Sequence, residues 1–141
     1  MANANVELVT RMYECFNRDD IDTIRRDIFA PNLVWRLPGH NPVSGTKNGA
    51  EEVLAFFAAL RRANIAVTLV RIDAFGEDGV VEVHRGQGRS GEQVLDALNC
   101  THYTVRDGRI AEVQVYMSDQ HAADAFFWAV YPLKPIPDRL A

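Results

Sequence analysis

The feature that most constrains the fold of this chain is a change in hydrophobic periodicity near Asn64. Before Asn64, apolar residues recur at the spacing of amphipathic helices. After it, apolar and polar residues alternate, which is typical of strands with one buried face. The order predicts helices first and an antiparallel meander second, which is an α+β arrangement.

The pattern predicts three helices ahead of the long strands. The predicted early elements are a helix with an apolar stripe from Val6 to Phe16, a short helix over 21–28 that ends at Pro31, a strand over 33–37, a loop over 38–49 and a helix over 50–60. Strands follow over 65–75, 80–85, 94–105 and 110–117, and a closing helix reaches about Tyr131. Three prolines then predict an extended tail over 132–141. The length of the chain predicts that residues 1–141 form one domain.

Composition narrows the classes of partner. The formal net charge of the 141 residues is −4, and no run of Lys and Arg could follow a phosphate backbone, which argues against nucleic acid. No apolar run has the length of a membrane span, and the first residues do not resemble a signal peptide. Cys15 and Cys100 form no CxxC pair, so we expect reduced thiols and a cytoplasmic location.

Two segments some fifty residues apart carry a family resemblance. One runs from Leu33 to Gly45, contains Trp35 and leads through Gly45-Thr46-Lys47-Asn48-Gly49 into the third helix; the other runs from Val105 to Tyr116 and contains Asp107-Gly108-Arg109-Ile110. Together they resemble the SnoaL-like branch of the nuclear transport factor two-like superfamily. The resemblance implies a cystatin-like cone, in which a curved, mainly antiparallel sheet packs on three N-terminal helices and a C-terminal helix. It also implies one deep pocket for a hydrophobic small molecule.

The relatives' chemistries can be tested at individual positions. The two carboxylates of ketosteroid isomerase would fall at Leu37 and Cys100, and the last-strand Asp of limonene epoxide hydrolase would fall near Val115. Neither mechanism is supported, because the acids are missing. The histidine of the polyketide cyclases would fall at His102, whereas their acid would fall at Val115 or Tyr116.

Alternation along one strand puts Asp96, Leu98, Cys100 and His102 on one face, which the resemblance implies is the concave one. His102 is then the predicted acid–base group, with Asp96 as its catalytic partner. The predicted substrate-binding residues are Tyr13, Trp35, Arg36, His40, Phe57, Arg85, Cys100 and Met117.

Alternatives stay open at these positions. His102 could be a core histidine bonded to a backbone carbonyl, and Asp96 and Arg85 could form a structural ion pair. If the opposite face of the strands is the concave one, Glu82, His84 and Asn99 become the pocket candidates.

The sequence therefore predicts an enzyme that isomerises or cyclises a hydrophobic, oxygenated small molecule by acid–base chemistry, without a cofactor or metal. The alternative is a non-catalytic ligand-binding or assembly domain of the same fold. We also expect a homodimer through the convex face of the sheet. The residues expected on that face are Asn99, Thr101, Tyr103, Gln114 and Tyr116.

Overall fold

The computed structural model describes residues 3–132 as four helices, one turn of π-helix and six strands. In chain order the elements are α1 (Ala4–Arg18), α2 (Ile21–Thr23), the π-turn (Ile24–Ile28), β1 (Phe29–Leu37), β2 (Gly45–Asn48), α3 (Ala50–Arg62), β3 (Ile65–Phe75), β4 (Gly79–Ser90), β5 (Gln93–Arg106), β6 (Arg109–Met117) and α4 (Gln120–Val130). The predicted tail beyond residue 132 lies outside the described residues. Within them, no helix is both long enough and apolar enough to cross a membrane.

The six strands form one sheet in the order β2-β1-β6-β5-β4-β3. Every neighbouring pair is antiparallel except β1 and β6, which run parallel. The predicted α+β fold with a mainly antiparallel sheet is therefore confirmed, and so is the meander from β3 to β6. The parallel pair lets the N-terminal half join the meander through its last strand.

The N-terminal helix shows how local sequence sets an element's ends. Asn3 begins α1 by accepting hydrogen bonds from the backbone N–H groups of Asn5 and Val6, at 3.0 and 3.1 Å. Asp19 ends it in the left-handed conformation, with φ 59°. Between these ends the predicted apolar stripe packs against the sheet, and the buried residues of α1 are Val9, Met12, Tyr13, Cys15 and Phe16.

Two local predictions were wrong. The second helical segment ends at Ile28 rather than at Pro31, and most of it is the π-turn, which leads directly into β1 at Phe29 rather than at Leu33. Pro31 lies inside β1, where the pairing with β6 shifts register between Phe29 and Val34 and the backbone N–H that proline lacks is not needed. The predicted loop also contains β2, which pairs antiparallel with the end of β1.

An aromatic cluster ties the helices to the sheet. Trp35 on β1 contacts Phe57 of α3 edge to face, with ring centroids 5.3 Å apart, and contacts Tyr103 of β5 at 6.1 Å. Phe57 in turn contacts Phe16 of α1 at 5.1 Å and Phe29 of β1 at 5.8 Å. This packing holds α1 and α3 against the concave face of the sheet, and the space left between them is the site.

Candidate functional site

A cavity lies between the concave face of the sheet and helices α1, α3 and α4. About 790 Å³ of its space is not filled by protein atoms, a volume that includes solvent at the open mouth. Its wall is mostly apolar. The side chains on the wall that carry polar atoms are Tyr13, Trp35, His84, Asn99 and Thr101.

Glu82 and His84 form the most distinctive feature of this cavity. They are two residues apart on β4, so both side chains project from the concave face. The two Glu82 carboxylate oxygens lie 2.9 and 3.0 Å from His84 Nδ1. The Glu82 side chain is fully buried, whereas that of His84 is 12% exposed and lines the cavity.

This arrangement fixes the orientation of the imidazole. A carboxylate oxygen accepts a hydrogen bond, so Nδ1 is the nitrogen that donates to Glu82. Nε2 has no hydrogen-bond partner among the described residues. Glu82 therefore holds His84 with Nε2 available to a ligand in the cavity.

Two tyrosines extend the polar network beside this pair. The hydroxyls of Tyr13 on α1 and Tyr103 on β5 are 2.8 Å apart, and the Tyr13 ring lies 6.1 Å from the His84 ring. Burial, then the neighbouring Tyr103 and Glu82, raises the pKa of Tyr13 well above its ordinary value. Burial and the Glu82 charge likewise raise the pKa of Tyr103. Both phenols therefore stay protonated at neutral pH and act as hydrogen-bonding groups rather than as bases.

Strand β5 supplies further polar groups to the wall. Asn99 lies opposite His84 and Thr101 opposite Glu82 in the β4–β5 pairing. The Asn99 side-chain oxygen accepts from the backbone N–H of Ser118 at 3.4 Å, which leaves its amide N–H groups as donors. Trp35 adds an indole N–H that is buried without an acceptor among the described residues.

Helix α4 closes the cavity from one side. Ala123 and Phe127 line the cavity, and Asp124 binds the loop that follows β1. Its Oδ1 accepts from the backbone N–H of His40 at 3.2 Å and from Asn41 Nδ2 at 2.7 Å. Gly39 has a φ of +108°, a conformation that favours glycine, and a Cβ at this position would also meet the side-chain ends of Gln120 and Asp124.

The structure corrects the face assigned to β4 and β5. Thr101 pairs with Val115, so the odd-numbered residues of β5 share the concave face with Val113, Val115 and Met117 of β6. His102 instead lies on the convex face, where its ring packs against Phe75 with centroids 5.3 Å apart. The prediction that His102 projects into the cavity was wrong, because Thr101 rather than His102 pairs with a residue of the concave face, which puts the face that the resemblance implied on the convex side.

The same reversal of faces places the other predicted residues of these strands outside. Asp96 and Arg85 form a bidentate ion pair on the convex face, with both N–O distances 2.7 Å and both side chains close to half exposed. Cys100 lies on that face between Val83 and Tyr116. The predictions that Asp96, Arg85 and Cys100 line the pocket were therefore wrong.

Two residues predicted at the pocket entrance also point away from it. Arg36 is exposed and lies 3.8 Å from Glu112 as an ion pair on the outer surface. His40 is exposed in the loop, and its backbone carbonyl accepts from the Trp128 indole N–H. By contrast, the cavity wall includes four of the predicted residues, Tyr13, Trp35, Phe57 and Met117. Their role in binding a substrate stays a prediction.

The pocket residues that the favoured prediction missed are Glu82, His84, Asn99 and Thr101. The signal that identifies them is a pair of polar alternations, Glu82 with His84 and Asn99 with Thr101, in strands whose other face also carries polar groups. Only the register decides between the two faces. Among the described residues, no cluster of three His, Cys, Asp or Glu side chains could hold a metal ion.

Comparison with known proteins finds a family match and a similar sequence. Residues 9–113 match the SnoaL-like domain. Over 130 residues, 90% of this chain and 98% of its relative, the sequence is 28% identical to uncharacterized protein Rv0034 of Mycobacterium tuberculosis (strain ATCC 25618 / H37Rv). This relative is uncharacterized, so the similarity suggests no activity.

Solved structures with the same fold cover nearly the whole described chain. Bal32a, from a soil-derived mobile gene cassette, has a TM-score of 0.84 at 26% identity and covers 89% of this chain and 98% of its own. TerC, co-crystallized with polyporic acid, has a TM-score of 0.75 at 21% identity and covers 88% and 98%. Since the identity to TerC is below a quarter, that likeness concerns the fold alone.

Proposed function

This chain belongs to the SnoaL-like domain family, within the nuclear transport factor two-like superfamily. From that membership we propose that the protein is an enzyme. Its substrate would be a hydrophobic, oxygenated small molecule, which it isomerises or cyclises by proton transfer in the manner of a polyketide cyclase. The observation that carries the proposal is His84 on the wall of a mostly apolar cavity, held by the buried Glu82 carboxylate behind it. A positioned imidazole with one nitrogen free is the group that acid–base chemistry near neutral pH requires.

The proposed reaction begins at a carbon next to a carbonyl group. His84 Nε2 removes a proton from that carbon, which leaves an enolate and an imidazolium stabilised by the buried Glu82 carboxylate. For isomerisation, the imidazolium returns the proton to another carbon of the same molecule. For cyclisation, the enolate carbon attacks a second carbonyl, a carbon–carbon bond forms, and the resulting alkoxide takes the proton from the imidazolium.

Two neighbouring groups support the charge that develops on the substrate oxygen. The Tyr13 hydroxyl stays protonated because burial raises its pKa, and the Asn99 amide has free N–H groups. Asn99 can donate a hydrogen bond to an enolate oxygen in the cavity, and Tyr13 can do so when the Tyr103 hydroxyl is the donor of the bond that the two phenols share. Neither group has to lose a proton during the proposed cycle.

The test uses a model ketone, so that proton transfer can be measured without knowing the natural substrate. We expect the protein to accelerate exchange of the α-protons of 2-tetralone with solvent deuterium, followed by proton NMR in D₂O near neutral pH. The control is an equal concentration of free imidazole, because the protein should exchange the α-protons faster than the same base does without a binding cavity. Exchange no faster than with imidazole, together with saturable binding of 2-tetralone, would instead favour the non-catalytic ligand-binding domain.

We further propose that two copies of the chain associate through the convex face of the sheet. Three residues expected there, Asn99, Thr101 and Tyr103, lie on the concave side, so that part of the expectation was wrong. The convex face of β4, β5 and β6 carries Val83, Leu98, Cys100 and Tyr116 beside the Arg85–Asp96 ion pair, His102 and Gln114, with Leu98 and Tyr116 more than half exposed. Such a mixture of apolar, aromatic and polar residues suits an interface.

We expect light scattering at micromolar concentration to give twice the chain mass for the wild type and the single chain mass for Leu98→Asp. Arg85, which lies opposite Leu98, is already paired with Asp96, so the added carboxylate would be buried without a free cation if the dimer formed. Val70→Asp is the matched control, because Val70 is equally exposed but lies two strands away on β3. A wild-type monomer, or a Leu98→Asp dimer, would contradict the proposed interface.

A further inference from the structure

The wall of the cavity carries polar side chains but no Lys, Arg, Asp or Glu among the described residues. The groups that can contact a ligand are the indole N–H of Trp35, the imidazole of His84, the phenol of Tyr13, the amide of Asn99 and the hydroxyl of Thr101. All of these side chains except the imidazole are uncharged at every pH near neutrality. The wall therefore has hydrogen-bonding capacity without a fixed charge.

The charge nearest to this wall is negative. Among the described residues that are buried, Glu82 is the one with a carboxylate or a cationic group, and it lies directly behind His84. With His84 neutral, the pair carries one negative charge when Glu82 is ionised. With a proton on either residue, the pair is neutral. Among the described residues, no Lys or Arg lies on the wall to add a positive charge.

The cations closest to the cavity are already engaged elsewhere. The Arg61 guanidinium lies 5.3 Å from the centroid of the Phe16 ring and donates to the Phe16 backbone carbonyl. The Lys47 ammonium lies 5.4 Å from the centroid of the Phe56 ring and donates to the carbonyls of Val43 and Ser44. Each stands behind an aromatic ring of the wall rather than on the wall itself.

We propose that this cavity selects uncharged ligands and rejects carboxylates of the same shape. An anion that enters gives up its hydration, finds no cation on the wall and approaches the Glu82 carboxylate. An uncharged ketone of the same shape loses little hydration, covers the apolar wall and accepts hydrogen bonds from the neutral donors. The substrate of the proposed reaction is therefore a neutral carbonyl compound, such as a ketone or an ester, rather than a free acid.

The test compares two ligands that differ in charge and hardly in shape. Equilibrium dialysis at pH 7.5 measures the binding of 2-acetylnaphthalene and of 2-naphthoate through their naphthalene absorbance. We expect the ketone to bind at least about tenfold more tightly, which corresponds to about 1.4 kcal/mol. Equal or tighter binding of 2-naphthoate would overturn the proposal, and so would the failure of both probes to bind.

Two variants test whether charge is the origin of the preference. Glu82→Gln keeps a hydrogen-bonding partner for His84 and removes the negative charge, so the preference for the ketone should narrow. Should that variant fail to fold, Ala97→Arg adds a cation at a half-buried wall position on β5 and should raise the affinity for 2-naphthoate. Val94→Arg, at an exposed position of the same strand, is the matched control and should change neither affinity. An unchanged preference in both pocket variants would overturn the proposal.

This inference rests on the proposed function because it concerns the same cavity, yet the two can fail separately. Dialysis measures binding without turnover, whereas exchange of the 2-tetralone protons measures proton transfer. Selective binding of the ketone without proton exchange would contradict the proposed enzymatic function and support the preference for uncharged ligands. Proton exchange combined with tighter binding of 2-naphthoate would support the enzymatic function and contradict the preference.

Discussion

Replacing His84 with asparagine should lower protein-dependent α-proton exchange of 2-tetralone by about 10²–10⁴-fold, the range for loss of one general acid–base group. Asparagine is close in size to the imidazole and keeps a polar group near Glu82, but it cannot take up a proton in this range of pH. The measurement is the exchange rate by proton NMR, at ketone concentrations above and below saturation. A fall in the saturated rate with unchanged binding would locate the defect in proton transfer.

His102→Asn is the matched control for this experiment. The substitution is chemically identical, and His102 lies on the convex face against Phe75, outside the cavity. We expect its exchange rate to equal that of the wild type. The opposite result, with exchange lost in His102→Asn and kept in His84→Asn, would refute the assignment of the acid–base group to the concave face.

Phe29→Ala should cost about 3–5 kcal/mol of the free energy of unfolding, which is the usual range for a fully buried phenylalanine. Phe29 is inaccessible to solvent and contacts both Trp35 and Phe57, with ring centroids 6.2 and 5.8 Å apart. It does not line the cavity, so no existing space allows the cluster to relax around the deletion. The measurement is urea unfolding followed by circular dichroism, with the slope of each transition compared.

The matched control is Phe75→Ala. Phe75 is 60% exposed at the end of β3, and the same deletion there should change the free energy of unfolding by less than about 1 kcal/mol. If Phe29→Ala cost no more than Phe75→Ala, the aromatic cluster would not be the main link between the helices and the sheet.

Periodicity was enough to predict the α+β arrangement, because each periodic segment buries one face and the faces must meet, whereas the cone shape was implied by the family resemblance. The change at Asn64 separates α3 from β3, and the alternation beyond it matches the four-strand meander. Elements that carry little periodic signal were missed. The short strand β2 is mostly exposed, and its pairing with β1 depends on a partner that local sequence does not reveal.

The face of β5 could not be predicted, for a reason located in the last hairpin. Arg106 pairs with Arg109 and Val105 with Ile110, as a two-residue turn at Asp107-Gly108 requires. The next pair is Thr104 with Glu112, so one residue of β6 has no partner. Without this bulge the pairing would continue in step and place His102 opposite Val113, on the face that was predicted.

A bulge of one residue exchanges the two faces of a strand relative to its neighbour. Its position at Ala111 has no strong signal in the sequence, since neither glycine nor proline marks it. The predicted wall positions on β1, α1, α3 and β6 do not depend on this register. Those positions, Tyr13, Trp35, Phe57 and Met117, are the ones that lie in the cavity.

The alternation along β5 also has a consequence for how such a protein can diverge. The side chains of neighbouring residues such as Ala97 and Leu98 lie in separate environments, the first in the cavity wall and the second on the convex surface. A substitution at one position of the strand therefore changes either ligand binding or the contacts of the outer surface, and seldom both. A library that randomises only Leu95, Ala97, Asn99 and Thr101 would search for new ligands while the outer surface of the strand keeps its composition.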